Sequence, residues 1–491
     1  MKDLYYCKDI TKIDSLAQNQ YNQPGIILME QAGLKTWLYI KDKIKKDENI
    51  TVVCGGGNNG GDALVVARCA YNDGYKNINI IYCSTKFSDS FEIQDKIIRS
   101  YNLPITSYLD NKDKSIDIIN NSTHLIDGII GVGLKSNLRL NLVELIKIIN
   151  ASSSIKYCID VPSGLSDVVS DICVKANFTF CMGPLKALYY YPKNIEKCNE
   201  IIEINPSFPP QVIEKVKPIA QLEENHKVDI LPLNKSDYKK TRGHLASFGG
   251  SNQYSGALRL TSKAAFSSRC GLVTAFCDSQ IYNVVASESP SIIVKKLEDG
   301  FDLKCYNAIL AGPGWDKNRE ELLLEILSYN KPTVIDADGI RAYAHLYREK
   351  KINIKENEKL IFTPHLGELK VLADSVLENY SIDNIDSLLD TLTKLSSILN
   401  ATIVCKASVV YIVSPNKLPL IIYNLNPSLA VAGSGDILAG CIASFLCNGF
   451  STYKSAKEGV LLHINAGKLA KKELGYYSSE QLIEYIGKQL L

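Results

Sequence analysis

Short β-rich runs alternate with helix-patterned ones along most of this 491-residue chain, and that alternation limits the fold more than any other feature. Ile50–Val53, Ile78–Tyr82, Thr123–Asp127 and Tyr157–Asp160 come first. Leu245–Phe248, Ala308–Ala311, Thr333–Asp336, Leu360–Thr363 and Thr402–Cys405 follow. Strands separated by helical crossovers pair in parallel and bury both faces, so each series builds a sheet with helices on either side. Between the series, from Asn205 to about Lys240, Pro206, Pro209, Pro210, Pro218 and Pro232 stand among mixed charges, a composition that reads as a connector. The chain is also longer than one ordinary core supports. The expectation is an α/β protein of two three-layer αβα domains, 1–225 (with the linker from about 205) and 226–491.

Charge and composition remove several function classes. The 55 Lys and Arg residues nearly balance the 53 Asp and Glu residues, leaving a net charge of +2 with no basic footprint for nucleic acid or an anionic membrane. The opening Met1-Lys2-Asp3-Leu4-Tyr5-Tyr6-Cys7-Lys8 lacks the apolar core of a secretory signal. No run of about 18 apolar residues is present to span a bilayer. A soluble cytoplasmic protein is expected, with neither nucleic acid nor membrane as partner. The 14 cysteines are scattered without a C-x-x-C pair, which fits buried free thiols better than disulfides or metal ligands.

The first half carries a glycine loop and two strand-end aspartates. After Ile50-Thr51-Val52-Val53-Cys54 comes Gly55-Gly56-Gly57-Asn58-Asn59-Gly60-Gly61-Asp62, then small and apolar residues at helical spacing. Glycines 55, 57 and 60 satisfy G-x-G-x-x-G, but the next strand ends in Ser84-Thr85 where a dinucleotide fold wants an acid. Hydride transfer is thereby disfavoured, while a backbone cradle for phosphate survives. Asp127, in Ile126-Asp127-Gly128-Ile129-Ile130-Gly131-Val132-Gly133-Leu134, and Asp160, in Ile159-Asp160-Val161-Pro162-Ser163-Gly164-Leu165, close further strands. Such ends converge on the crevice of an open sheet. The oxygens of Asn59, Asp127 and Ser163 could together hold a hard cation, although each alone also suits an ordinary turn.

The second half ends five strands in chemistry: Gly249-Gly250-Ser251, Gly312-Pro313-Gly314-Trp315-Asp316, Asp336-Ala337-Asp338, Thr363-Pro364-His365-Leu366-Gly367-Glu368 and Lys406-Ala407-Ser408. Asn426 and Gly433-Ser434-Gly435-Asp436 complete the set, and apolar residues 437, 438, 441, 442, 445 and 446 then follow at helical spacing. Small residues at a helix start leave bare N–H groups for an anion, and the helix dipole favours an ionised Asp436 beside it. That pairing suits phosphoryl transfer to a hydroxyl, with Asp436 taking the proton. The same four residues also describe a plain capped helix start, and a solitary His365 is commonly structural.

These residues resemble known families. From about Gln23 through Ala187 the chain is similar to the NAD(P)H-hydrate epimerase family, on Gly57-Asn58-Asn59-Gly60-Gly61-Asp62 and the Asp127 and Asp160 segments, with a Rossmann-like fold implied. The resemblance implies interconversion of R and S forms of NAD(P)H hydrated at C6 of the nicotinamide ring. Asn58, Asn59, Gly60, Gly61, Asp62, Gly131, Val132, Gly133, Leu134, Lys135, Ser136, Asn137 and Asp160 would contact the hydrate. Asn59, Asp127 and Ser163 would hold K+, and Asp127 would be the acid–base group. From about 235 to 490 the chain resembles the ribokinase-like family, and within it the ADP/ATP-dependent NAD(P)H-hydrate dehydratase. That resemblance implies that ADP (or ATP), with Mg2+, phosphorylates the C6 hydroxyl of the S hydrate, after which phosphate leaves. Ala257, Gly314, His365 and Asp436 would meet the hydrate. Lys406, Ala407, Ser408, Val409, Val410 and Gly435 would bind nucleotide, with Asp436 as catalytic base.

The expected partners are therefore NAD(P)H hydrate and an adenine nucleotide, and the family's habit of symmetric assembly implies a homo-oligomer. Trp315 and Asp316 stand where the family usually has Leu-Gly, and Ala432 replaces a glycine, which requires a negative φ there. The rival reading is a ribokinase-like kinase for a vitamin alcohol with a non-catalytic epimerase-like binding domain.

Overall fold

The computed structural model describes residues 1–134, 136–166, 172–230, 234–316, 319–352, 359–423 and 426–490. The chain divides into two compact units, Lys2–Ala220 and Gln221–Asp383 with Ser387–Leu491.

In the first unit a seven-stranded sheet runs in the order Ile105–Ser107, Ile78–Tyr82, Ile50–Cys54, His124–Gly128, Ile155–Ile159, Phe178–Met182 and Glu200–Ile204, with every neighbouring pair parallel. Side chains alternate across it. Val52, Ile80 and Ile126 enter one buried cluster with Trp37 and Leu64, while Val53, Ile81 and Leu125 enter a second with Ile146 and Ile149. Helices therefore cover both faces, giving three layers. The chain reverses its direction of progress between Ile50–Cys54 and His124–Gly128, and loops after the strands splay apart at such a point.

The second unit's sheet runs through Ala220–Glu223, Leu420–Tyr423, Val409–Val413, Thr402–Cys405, Leu360–Phe362, Thr333–Ile335, Ala308–Ala311, His244–Phe248, Leu272–Cys277 and Ile293–Lys296. It is parallel except at Val409–Val413, which pairs antiparallel with both of its neighbours, Thr402–Cys405 and Leu420–Tyr423. Leu438 and Ile442 of helix Ser434–Cys447 and Val460 of helix Thr452–Leu474 pack with Leu245, Leu310 and Ile361 on one face. On the other, Tyr343 of helix Asp338–Arg348 meets Phe362 edge-on at 4.7 Å between ring centroids.

All nine sequence-predicted strands are present, with ends shifted by a residue or two. Other strands carry weaker sequence signals: Phe178–Met182 is buried from Thr179 onward but interrupted at once by Gly183-Pro184, and Val409–Val413 follows Lys406 too closely to separate from it. The stretch 205–240 is no free connector. Phe208, Val212 and Val216 are buried with Ile10, Ile13 and Ala17, and Ala220–Glu223 is a strand paired with Leu420–Tyr423. Pro209 and Pro210 open the short helix Pro210–Glu214, and Pro206 and Pro218 lie between ordered elements instead of stiffening a tether; Pro232 lies outside the described residues. All 14 cysteines are free thiols, 11 of them buried, so they act as small apolar fillers. Among the described residues no helix is long and apolar enough to cross a membrane.

Candidate active sites

The first unit's site opens where the loops after Ile50–Cys54, His124–Gly128 and Ile155–Ile159 meet. Helix Asn58–Asn72 begins directly on the glycine loop, and a Cβ at Gly60 would lie 2.1 Å from the Gly55 carbonyl, so only glycine permits this tight return. The loops border a cavity of about 1030 Å3. Of the expected substrate contacts, Asn58, Asn59, Asp62, Gly131, Val132, Gly133, Leu134, Ser136, Asn137 and Asp160 line it. Gly60 and Gly61 sit buried in the helix start behind them, and Lys135 lies outside the described residues.

Three carboxyls face this cavity: Asp14, Asp62 and Asp160. Asp160 adopts φ +66, with its Oδ2 accepting from the Val132 N–H at 2.9 Å and its Oδ1 2.9 Å from Lys186 Nζ. Lys186 has no exposed surface. Burial alone would depress its pKa, but the Asp160 carboxylate, followed by the Cys181 sulfur, reverses the sign and holds it raised. Asp62 has no hydrogen-bond partner among the described residues, and burial, then Asp160 and Asp14, pushes its pKa well above the usual carboxylate value.

Asp127 occupies a different position. It is 0 % exposed and stands behind the lining residues Ile129 and Ile130. Its carboxylate accepts from Ser163 Oγ at 2.5 Å, the Ser163 N–H at 2.9 Å and the Ile129 N–H at 3.2 Å, while Ser163 Oγ accepts from the Ile130 N–H at 2.9 Å. Burial raises its pKa, with the Ser163 contacts opposing that rise. Asn59 is anchored on the cavity side: the hydrogen-bonding groups around it assign its amide nitrogen to the Ile159 carbonyl at 3.1 Å and its amide oxygen to the Gly131 N–H at 3.3 Å. Asp127 and Ser163 are thus joined directly, and Asn59 joins the neighbouring loop.

In the second unit, Gly433 takes φ +86 and starts helix Ser434–Cys447, placing Asp436 in its first turn. Ala432 is not among the positive-φ residues, so its Cβ is accommodated. Burial comes first among the causes that raise the Asp436 pKa to about 7; Asp336 and Glu368 raise it further and Lys406 opposes them. The helix dipole therefore does not dominate, contrary to the expectation of a carboxyl favoured in its ionised form, because desolvation and like charge outweigh it. Lys406 Nζ lies 2.6 Å from Asp336 Oδ1 and 3.6 Å from where a Gly435 Cβ would be. Beneath the turn, Ser434 Oγ meets His463 Nε2 at 3.1 Å, and burial lowers the His463 pKa to about 4.

The remaining expected residues divide. Gly314 and Ala257 touch: a Cβ on Gly314 would come within 2.8 Å of the Ala257 Cβ. His365 caps helix Leu366–Val376, its Nδ1 accepting from the Gly367 N–H at 2.9 Å while Glu368 accepts from the His365 N–H at 2.9 Å. Of the nucleotide set, Ala407 and Val410 are half-buried and Ser408 is exposed; Val409 is wholly buried, which leaves only its backbone for a ligand. Trp315 is 1 % exposed and turned into the protein, and Asp316 holds φ +61 with its N–H donating to Asp338 Oδ2 at 3.0 Å.

Sequence reasoning missed Lys186, Asp14 and the coupling of Asp336 to Lys406. A lysine inside the apolar run Cys181–Tyr191 was a legible signal for the first. Asp14, on helix Cys7–Tyr21 with Gln18 donating to it at 2.8 Å, left none.

Comparison with known proteins matches residues 25–188 to the YjeF-related protein N-terminus and residues 246–488 to the NAD(P)H-hydrate dehydratase family. The chain is 29% identical over 489 residues to the bifunctional NAD(P)H-hydrate repair enzyme Nnr of Synechocystis sp., covering 94% of this chain and 90% of that protein. It is 28% identical to the Coxiella burnetii enzyme of the same name, covering 97% and 96% respectively. Among solved structures, the ADP/ATP-dependent NAD(P)H-hydrate dehydratase from Bacillus subtilis, co-crystallized with ATP/Mg2+, is 21% identical with TM-score 0.46, covering 53% of this chain and 93% of that one.

Proposed function

Because this chain belongs to the family of bifunctional NAD(P)H-hydrate repair enzymes, we propose that its first unit interconverts the R and S hydrates and its second returns the S form to NAD(P)H at the expense of ADP (or ATP). The observation that carries the reading is Asp436, a carboxyl near neutrality beside Lys406 and the bare amides of a helix start. A base is most useful when its pKa lies close to the working pH. Asp436 takes the proton of the C6 hydroxyl as its oxygen attacks the terminal phosphoryl group, and the amides with Lys406 hold the phosphoryl oxygens. The C6–O bond then breaks with its electrons leaving on phosphate, the ring nitrogen lone pair drives that departure, and loss of the C5 proton restores the double bond.

Ala257 and Gly314 form the hydrate's side of the second site, with His365 holding the loop that borders it. The backbone of 406–410 and Gly435 serves the nucleotide. Mg2+ would be held through the nucleotide phosphates, whose oxygens suit a hard cation.

In the first unit the cavity takes the hydrate, with Asn58, Asn59, Asp62, Gly131–Leu134, Ser136, Asn137 and Asp160 around it. Asn59, Asp127 and Ser163 offer an amide oxygen, a buried carboxylate and a hydroxyl, a donor set that fits K+. Bound there, the ion supplies fixed positive charge beside the hydrated ring. Asp127, buried and gripped by Ser163, would hold that ion and serve as the acid–base group of the epimerisation. The protein works in the cytoplasm as a homo-oligomer.

One experiment tests both halves: an R/S hydrate mixture incubated with ADP and K+, followed by the absorbance of NADH. Complete return, beyond the spontaneous rate of epimerisation, supports two active units. Return of half the mixture leaves the first unit inactive, and a stable phosphorylated product would replace the dehydratase reading with a kinase.

A further inference from the structure

Resting on that reading of the second site, we propose that Asp336 is its positioning residue: it locks the Lys406 ammonium beside the start of helix Ser434–Cys447, keeping Lys406 available to nucleotide phosphate and preventing it from collapsing onto Asp436. Asp336 follows the strand Thr333–Ile335 and is 2 % exposed, out of reach of a ligand. Its Oδ1 accepts from Thr363 Oγ1 at 2.7 Å and from Lys406 Nζ at 2.6 Å. The lysine backbone is held as well, its N–H donating to the Pro364 carbonyl at 2.7 Å. A lysine is a point charge on a flexible stem, so its placement depends on what grips it.

Two strand-end carboxylates of the Asp336-Ala337-Asp338 segment thus have separate tasks. Asp338 Oδ2 receives the Asp316 N–H at 3.0 Å and so steadies the loop that carries Gly314. Asp336 faces the other way, onto Lys406. Glu368 and Asp436 are the other two carboxyls that bear on the lysine. With Asp336 neutralised, the ammonium is free to pair with Asp436, and such a pair is a weaker base and a poorer phosphate site. The groups whose charge bears on Asp436 are Asp336 and Lys406 from strand ends and Glu368 from helix Leu366–Val376; His463, from helix Thr452–Leu474, contacts the neighbouring Ser434.

The test uses the full-length Asp336→Asn protein. ADP affinity by calorimetry is expected to fall about 10-fold or more, and the acid limb of the kcat/KM profile for S-hydrate dehydration to move down by about one pH unit. Thr363→Val, which removes only the supporting hydroxyl, moves the limb the same way by less, and Asp336→Glu recovers part of the ADP affinity. An Asp336→Asn protein that melts earlier yet keeps its limb and ADP affinity overturns the proposal, since a purely structural carboxylate would behave so. Should Asp336→Asn fail to fold, an unmoved limb in Thr363→Val overturns it equally. A wild-type protein that binds ADP but does not dehydrate the hydrate sinks the functional reading alone, and the ADP-affinity comparison still decides the role of Asp336.

Discussion

Lys186 Nζ lies 2.9 Å from Asp160 Oδ1, with the lysine entirely out of solvent and the two residues carried by the loops after neighbouring parallel strands. A buried pair of this kind is costly to break from one side, because the survivor keeps its charge without a partner. Lys186→Met is therefore expected to destabilise the first unit by about 3–5 kcal/mol. Denaturant unfolding followed by a probe in that unit checks it; a loss below about 1 kcal/mol would show that the Asp160 charge is compensated without Lys186. Epimerisation should fall with it while dehydration of pure S hydrate persists.

Ser163→Ala removes the shortest hydrogen bond to Asp127 and one oxygen of the proposed potassium set. Outer partners and weak ligands commonly tune metal affinity by about 10–100-fold. The K+ concentration that half-restores epimerisation should rise by that order. An unchanged K+ titration would remove Ser163 from the ligand set.

Asp436 makes a prediction about stability with a definite sign. Its folded pKa of about 7 lies above the ordinary 3.8, so the native state binds the extra proton between those values. Its contribution to stability is full below the unfolded pKa and is lost as pH rises through about 7, by at most about 4 kcal/mol. Asp436→Asn should consequently raise the melting temperature at pH 8 and leave it nearly unchanged at pH 4. Equal effects at both pH values would contradict the assigned shift.

Catalysis depends on the opposite form of that carboxyl. The dehydration rate at saturating nucleotide should fall below about pH 7 along a single-proton limb, and Asp436→Asn should lose turnover by about 10²–10⁴-fold at every pH. A flat profile from pH 5.5 to 8 argues against Asp436 as the base.

Gly433 combines φ +86 with a neighbour, Leu260 Cδ1, only 2.4 Å from where a Cβ would stand. Gly433→Ala should cost about 1–3 kcal/mol and weaken ADP binding, because the strained turn and the amide cluster are the same few residues. Calorimetric melting and ADP titration on one sample check both; a variant as stable as the wild type would mean the turn relaxes.

Much of this was legible in one dimension. Alternating β and helical periods identify two parallel α/β sheets, and chemistry placed just after strands marks the carboxyl ends where loops converge. Gly55–Asp62 and Gly433–Asp436 are local turns whose small residues dictate their own backbone, so the amino-acid order alone determined them. Other properties depend on distances between elements far apart in the chain. Asp336 meets Lys406 across 70 residues, Asp127 settles behind Ile129 and Ile130 although its motif looks like that of Asp160, and helix Cys7–Tyr21 brings Asp14 to a cavity built by later loops. Periodicity and motif spacing carry no record of such distances, whereas burial and Coulomb energies depend on little else. Only the tertiary structure could therefore decide which carboxyl is gripped, which is hidden and which is poised near neutrality.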